Sequence, residues 1–144
     1  MRSFGRKPLI EIALLLMLCL GSASAEVVVI GNKAIKADSL TLEEVGKLWL
    51  GQMKWLTSGE KARVVDQKTG SKIRKAFYAH VANKSERQLR SYWAKLVFTG
   101  RGAPPRVLSD DDAVKRWVAT TPGGLGYVDG GVVDDSVKVL FHLP

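Results

Sequence analysis

The chain has 144 residues, a formal net charge of +8 and one cysteine. This length suits one domain and leaves little room for two full lobes around a cleft. One cysteine excludes an intramolecular disulfide, and with only two distant histidines it also argues against a His/Cys zinc site.

The first 25 residues have the pattern of a secretory signal peptide. A short basic segment precedes an apolar run over residues 12–20, and Ala23-Ser24-Ala25 is a small-x-small cleavage pattern. The apolar run is shorter than the roughly 20 residues that a membrane-spanning helix needs. We therefore predict cleavage after Ala25, export to the periplasm, and a single domain over residues 26–144.

The predicted exported chain is basic and contains no cysteine. Its hydrophobic core must then supply the stability without disulfides. Outside the cytoplasm, a basic balance favours anionic small molecules or acidic envelope surfaces as partners, and we expect no nucleic acid partner. Solvated Lys and Arg side chains on helix faces are the simpler explanation of the same charge.

In chain order, the segment Glu26-Val-Val-Val-Ile30 contains a short apolar run and predicts a buried strand that ends at Gly31-Asn32. The segment Thr41–Glu44 has the spacing of a capping box, which predicts the start of a short helix that stops at Gly51. The apolar face of this helix consists of Leu42, Val45, Leu48 and Trp49.

Residues 62–66 predict a second strand, which runs into Thr69-Gly70-Ser71 and then into a helix. The next helix begins at Ser85–Gln88, again with capping-box spacing, and its apolar residues give the strongest helical periodicity in the chain. The apolar positions of the two helices are Ile73, Ala76, Phe77 and Val81, then Leu89, Tyr92, Trp93, Leu96 and Val97.

The segment 99–105 breaks the helical pattern, and Ser109–Asp112 predicts the start of a fourth helix with acidic residues in its first turn. A turn at 121–124 leads to a strand over 125–128, and Val137, Val139 and Phe141 alternate in a last strand. The predicted order is β-α-β-α-α-α-β-β, a single α/β layer sandwich without internal repeats.

The most informative local feature is the unit of strand, glycine turn and helix around Thr69, Gly70 and Ser71. A helix that begins here presents unpaired amides and the positive end of its dipole, which together favour an oxyanion. The Thr69 and Ser71 hydroxyls and the Arg74 guanidinium are further donors. The alternative interpretation is that Thr69 or Ser71 only caps the helix.

Arg101 is the second candidate, because the glycines at 100 and 102 allow a ligand to approach the backbone closely. The alternative is a helix C-cap at Gly100 with a solvated arginine. The three aspartates at 110–112 lack the spacing of a calcium loop and are expected to cap a helix. Trp49, Trp93 and Trp117 are expected in the core, whereas Trp55 is the one loop tryptophan available to line a site.

Neither His80 nor His142 lies beside a Ser or Cys nucleophile motif. We therefore expect no catalytic residues, no metal and no cofactor, and we predict that the protein is not an enzyme.

Taken together, four stretches resemble the periplasmic phosphate-binding proteins of ABC importers, a type II periplasmic binding protein family. The segment 98–105 is similar to the short exported members of that superfamily, and 121–128 is close to the family's "tpGaiGYv" segment. The other two stretches are Leu40–Gly51 with Trp55, and Val64–Ser71 with Phe77.

The resemblance implies one α/β lobe, half of a type II binding protein, with a small mixed sheet flanked by about four helices. It implies a ligand site in which the family's ligating Arg aligns with Gln67 and its Ser aligns with Ser71. The Gly and Thr that follow in the family are Lys72 and Ile73 here. The ligands of the family's first lobe have no counterpart.

We therefore expect a periplasmic, non-catalytic domain that binds phosphate or a related oxyanion and is linked to ABC-type phosphate transport. The expected ligand-binding residues are Gln67, Thr69, Gly70, Ser71, Arg74 and Arg101. Expected partners are the oxyanion, an ABC permease or a sensor protein, and a second copy of the chain that closes over the first. The alternative is a ligand-free envelope interaction or sensory module that keeps the fold.

Overall fold

The computed structural model describes residues 26–144, so the predicted signal peptide lies outside the described residues. Within this range no helix is long and apolar enough to cross a membrane. Five strands and four α-helices alternate along the chain: β1 Val27–Gly31, α1 Leu42–Trp49, β2 Arg63–Gln67, α2 Lys72–Val81, α3 Glu86–Phe98, β3 Arg106–Leu108, α4 Asp111–Thr120, β4 Gly124–Asp129 and β5 Lys138–His142.

The five strands form one mixed sheet in the order β3-β2-β4-β1-β5. Strand β2 pairs in parallel with β3 and β4, whereas β1 pairs antiparallel with β4 and β5. The helices flank this sheet, which confirms the predicted α/β class with a small mixed sheet and four helices.

The two faces of the sheet bury separate apolar clusters, because successive residues of a strand point to opposite sides. Val29 of β1 packs with residues of α1, α2 and α3, including Trp49, Phe77 and Trp93. Val28, its neighbour, packs on the opposite face with α4. Three helices therefore cover one face of the sheet and a single helix covers the other.

The predicted helix starts are confirmed by their caps. Thr41 and Ser85 each form a complete capping box, with Glu44 and Gln88 respectively as the third residue of the helix. Asp110 caps α4 by accepting from the backbone N–H of Ala113 at 2.8 Å, which confirms the helix-capping role predicted for this acidic segment.

Two details of the strands differ from the sequence prediction. Strand β3 was not predicted, because it is only three residues long and follows two prolines. In β5, alternation would place Val139 and Phe141 on one face, but they pack against opposite clusters. The β1–β5 register shifts between Val29 and Ile30, and this irregularity breaks the alternation.

One edge of the sheet carries the candidate site. Because β2 and β3 are parallel, their carboxyl ends, at Gln67 and Leu108, lie at the same edge. The chain then turns into α2 through Gly70, whose φ of +84° lies in the region that glycine adopts without strain. Apart from its two chain neighbours, no residue has a heavy atom within 4 Å of the position of a Cβ at Gly70, and Gly70 itself is exposed.

We predict that Trp93→Ala destabilises the protein far more than Trp55→Ala. Trp93 is 7% exposed in the core, whereas Trp55 is 60% exposed, as its loop position indicated. Truncating a buried tryptophan typically costs about 3–5 kcal/mol. Urea unfolding of the two variants measures the difference, and equal midpoints would contradict the assignment of Trp93 to the core.

Candidate functional site

The Asp66 carboxylate is the centre of the candidate site. It lies at the end of β2, is 2% exposed, and accepts four hydrogen bonds. The Tyr78 hydroxyl donates to Oδ2 at 2.7 Å, while the Tyr127 hydroxyl, the Gln67 backbone N–H at 2.8 Å and Arg74 Nε at 3.4 Å donate to Oδ1. A buried carboxylate needs such compensation to remain ionised.

The two tyrosines that donate to Asp66, Tyr78 and Tyr127, belong to a cluster of aromatic rings that also contains Trp49 and Phe77. Phe77 stacks on Tyr127 with ring centroids 3.9 Å apart, and the Trp49 indole N–H donates to the Val65 carbonyl at 3.0 Å. Burial raises the pKa of Tyr78 and of Tyr127 well above the ordinary value, and the adjacent Asp66 charge raises both further. Both hydroxyls therefore stay protonated as donors to Asp66.

Arg74 joins Asp66 to a second carboxylate, Glu86 at the start of α3. Its Nε lies 3.4 Å from Asp66 Oδ1, its Nη1 donates to Glu86 Oε2, and its guanidinium lies over the Tyr78 ring at 5.1 Å from the centroid. Burial alone would lower the pKa of Arg74, but the two carboxylates raise it above the ordinary value. The arginine is therefore a permanent cation.

Glu86 also lies at the amino end of α2, where the sequence predicts an oxyanion. Its Oε1 accepts from the Gly70 backbone N–H at 3.4 Å while its Oε2 contacts Arg74. Side-chain exposure rises outwards along the series, from 2% for Asp66 to 10% for Arg74 and 17% for Glu86. The outermost carboxylate is thus the one that solvent or a solute reaches first.

A cavity of about 260 Å³ lies beside this series, between the start of α2, helix α3 and the segment that leads into β3. We call it the α2–α3 cavity. Its lining combines charged side chains with an apolar wall: Asp66, Thr69, Arg74, Glu86, Arg90, Leu89, Trp93, Pro104, Pro105 and Val107.

The structure brings four of the six predicted ligand-binding residues to this place. Thr69 and Arg74 line the α2–α3 cavity, and the Gly70 N–H donates a hydrogen bond to Glu86. The Ser71 hydroxyl accepts from the Arg74 backbone N–H at 3.3 Å, so Ser71 is the N-cap of α2. This hydrogen bond agrees with the alternative interpretation of the sequence, in which Ser71 caps the helix.

Gln67 and Arg101 lie outside the cavity lining. The Gln67 side-chain amide donates to Asp111 Oδ1 at 2.7 Å and to the Tyr127 carbonyl at 2.9 Å, so it ties β2 to the start of α4. Arg101 is exposed beyond the end of α3. The cation that lines the cavity beside Arg74 is instead Arg90.

Sequence reasoning missed Asp66, Glu86 and Arg90 as site residues. A single carboxylate at the end of an apolar strand, Val64-Val65-Asp66, is a signal for a buried and compensated charge. Glu86 has no such signal, because an acidic residue in the first turn of a helix is common for the dipole alone. Only the packing of α3 against α2 reveals its second contact.

Within residues 26–144, no group of three or more His, Cys, Asp or Glu side chains is arranged to hold a metal ion. Of the two histidines, His142 contacts Glu26 at 2.7 Å between Nδ1 and Oε1 on the exposed surface. The polar groups that line the α2–α3 cavity are two guanidinium groups, a hydroxyl and two carboxylates.

No protein-family model matches the chain, and no curated protein sequence matches it. Solved structures match its fold. A Clostridium perfringens protein described as a phosphate ABC transporter substrate-binding protein with bound phosphate has a TM-score of 0.65 and 22% identity over 80% of this chain. An ABC-type phosphate transport receptor from Vibrio cholerae has a TM-score of 0.63 and 21% identity over 80%.

A third match is PstS from Borrelia burgdorferi, with a TM-score of 0.62 and 16% identity over 80% of this chain. The matched regions are only 44%, 45% and 46% of these three proteins, so the chain spans less than half of their length. The predicted fold, a single lobe similar to one half of such binding proteins, is therefore confirmed. At these identities the likeness concerns the fold alone.

We predict that the free energy of unfolding falls as the pH rises above about 10, the ordinary pKa of tyrosine. The unfolded chain then releases protons from Tyr78 and Tyr127 that the folded chain retains, because both pKa values are raised on folding. Each tyrosine contributes a slope of about 1.4 kcal/mol per pH unit.

Denaturant unfolding of the wild type and of the Tyr78→Phe/Tyr127→Phe variant between pH 9 and pH 11 measures this slope. The double variant is expected to start less stable, because it has lost two hydrogen bonds to Asp66, but to lose less stability with pH. The same slope in both proteins would contradict the role of these two hydroxyls.

Proposed function

We propose that the protein binds a small oxyanion of the phosphate class at the amino end of α2, in exchange for the Glu86 carboxylate. The observation that supports this most is the position of Glu86 itself. The Glu86 carboxylate is itself an oxyanion, and it already contacts the Gly70 N–H and Arg74. The groups at the amino end of α2 are therefore complementary to a carboxylate, and by the same chemistry to a phosphate oxygen.

Exchange requires that Glu86 leaves while the groups beneath it stay in place. Asp66 holds Arg74 from below through Nε, independently of Glu86. Thr69 and Arg90 line the same cavity and offer a hydroxyl and a second guanidinium to an incoming oxyanion. A tethered carboxylate has a high effective concentration, so a free oxyanion competes poorly with it. Binding is therefore weak, and it weakens further at high salt.

The biological role that we propose follows the fold. The matched solved proteins are described as phosphate transport receptors or substrate-binding proteins. By analogy we propose that this domain is exported to the periplasm after cleavage behind Ala25 and serves ABC-type phosphate transport. An ABC permease or a sensor protein would then bind the domain when its ligand is present. A second copy of the chain that closes over the cavity would supply the missing half of the cleft.

A phosphate titration tests the exchange. In the wild type we expect amide shifts of Gly70, Thr69 and Arg74 only at millimolar phosphate. Glu86→Gln removes the competing charge and is expected to lower the Kd at least about tenfold, which corresponds to about 1.4 kcal/mol. Arg90→Ala is expected to weaken binding, and Arg101→Ala is expected to have less effect because Arg101 lies outside the cavity lining.

Glu43→Gln is the matched control, because Glu43 is also an acidic residue in the first turn of a helix and its loss changes the net charge equally. It should leave phosphate binding unchanged. Amide chemical-shift changes that cluster away from residues 67–74 and 86–90 would show that phosphate binds at a different place. No shifts in either the wild type or Glu86→Gln at millimolar phosphate would refute oxyanion binding.

The second candidate function is a ligand-free interaction module. The observation that favours it is Phe98, which is 92% exposed at the end of α3, beside the half-exposed Val97. Contiguous exposed apolar surface marks contacts with other proteins, and these two adjacent side chains would be the centre of such a contact. A negative phosphate titration would leave this as the better function.

Export is tested by the mass of the protein recovered from the periplasm of the expressing cell. We expect a chain that begins at Glu26, because Ala23-Ser24-Ala25 is a small-x-small cleavage pattern that ends at Ala25. A recovered mass that still includes residues 1–25, or that carries a lipid on Cys19, would contradict this expectation.

A further inference from the structure

The lining of the α2–α3 cavity combines two kinds of group. Charged and hydroxyl groups come from the start of α2 and the first turns of α3. The apolar members, which we call the wall, are Leu89, Trp93, Pro104, Pro105 and Val107. A bare oxyanion would use only the first kind of group.

We propose that the ligand of this cavity is an organic monoanion, with its charged oxygens toward Arg74 and Arg90 and a flat apolar body against the wall. The proposal deepens the function proposed above and rests on it, since the same amino end of α2 binds the charged group. It adds a ligand class, namely small carboxylates or sulfonates with a ring, in preference to inorganic phosphate.

The volume of the cavity supports an organic ligand. Water occupies about 30 Å³ per molecule in the liquid, so about 260 Å³ corresponds to roughly nine waters. A tetrahedral oxyanion has five heavy atoms and fills only part of that space. The remainder, next to the proline rings and the indole, is the size of a small ring.

The charges of the lining favour a single negative charge on the ligand. Asp66, Arg74, Glu86 and Arg90 together sum to zero while Glu86 lies against Arg74. When Glu86 leaves, the lining carries one net positive charge. A monoanion neutralises it, whereas a dianion leaves one charge unmatched in a site that is partly shielded from water.

Binding of three sodium salts, benzoate, acetate and inorganic phosphate, tests the ligand class at constant ionic strength. Calorimetry of the wild type and of Glu86→Gln gives the Kd of each salt, and amide shifts locate the site. We expect benzoate to bind at least about tenfold more tightly than acetate, because only benzoate buries a ring against the wall. Phosphate is expected to bind no more tightly than acetate.

Two matched surface variants show whether the apolar wall causes the preference for benzoate over acetate. Val107 and Val97 are both about half exposed, but only Val107 lines the cavity. Val107→Ser should reduce the preference for benzoate over acetate several-fold, and Val97→Ser should leave it unchanged.

The outcomes separate this inference from the proposed function. If benzoate binds no better than acetate, or if the two valine variants behave alike, the organic ligand class is wrong even though phosphate binds. If none of the three salts binds to the wild type or to Glu86→Gln, oxyanion binding itself is wrong, and both proposals fail together.

Discussion

One buried carboxylate constrains the functional edge of this domain. Asp66 lies in a strand that is otherwise apolar, at 2% exposure, and a charge there is tolerated only if its surroundings supply donors. Those donors come from distant parts of the chain: Arg74 and Tyr78 from α2 and Tyr127 from β4. The charge of Asp66 is therefore compensated only when α2 packs onto the sheet. Loss of any donor leaves an unpaired group in the core.

The compensation extends outwards as a series of alternating charges, and this order assigns a different role to each group. Asp66 fixes Arg74 from the inside, so Arg74 is positioned whether or not a solute is bound. Glu86 neutralises Arg74 from the outside and also takes up the Gly70 N–H. It is the only member of the series that an external oxyanion can replace without exposing a buried charge. In the site that we propose, the donors that would bind an anion are thus satisfied by Glu86 while no ligand is bound.

Local patterns predicted the fold well, and long-range contacts limited the prediction of the site. Capping boxes at Thr41 and Ser85 involve residues three apart, and the apolar stripe of α3 placed Trp93 in the core, so both are readable from the sequence. Strand β3 is too short to show a period. Glu86 and Gln67 act through partners 16 and 44 residues away along the chain, at Gly70 and Asp111, and no spacing rule reveals such contacts.

A crystal structure of the Glu86→Gln protein grown in phosphate tests the central claim most directly. The account predicts an oxyanion within hydrogen-bond distance of the Gly70 N–H and Arg74 Nη1, with the four hydrogen bonds of Asp66 unchanged. It is contradicted if the amino end of α2 holds only solvent, or the amide introduced by the substitution, while phosphate is bound elsewhere. It is also contradicted if Arg74 leaves Asp66 once the Glu86 charge is gone.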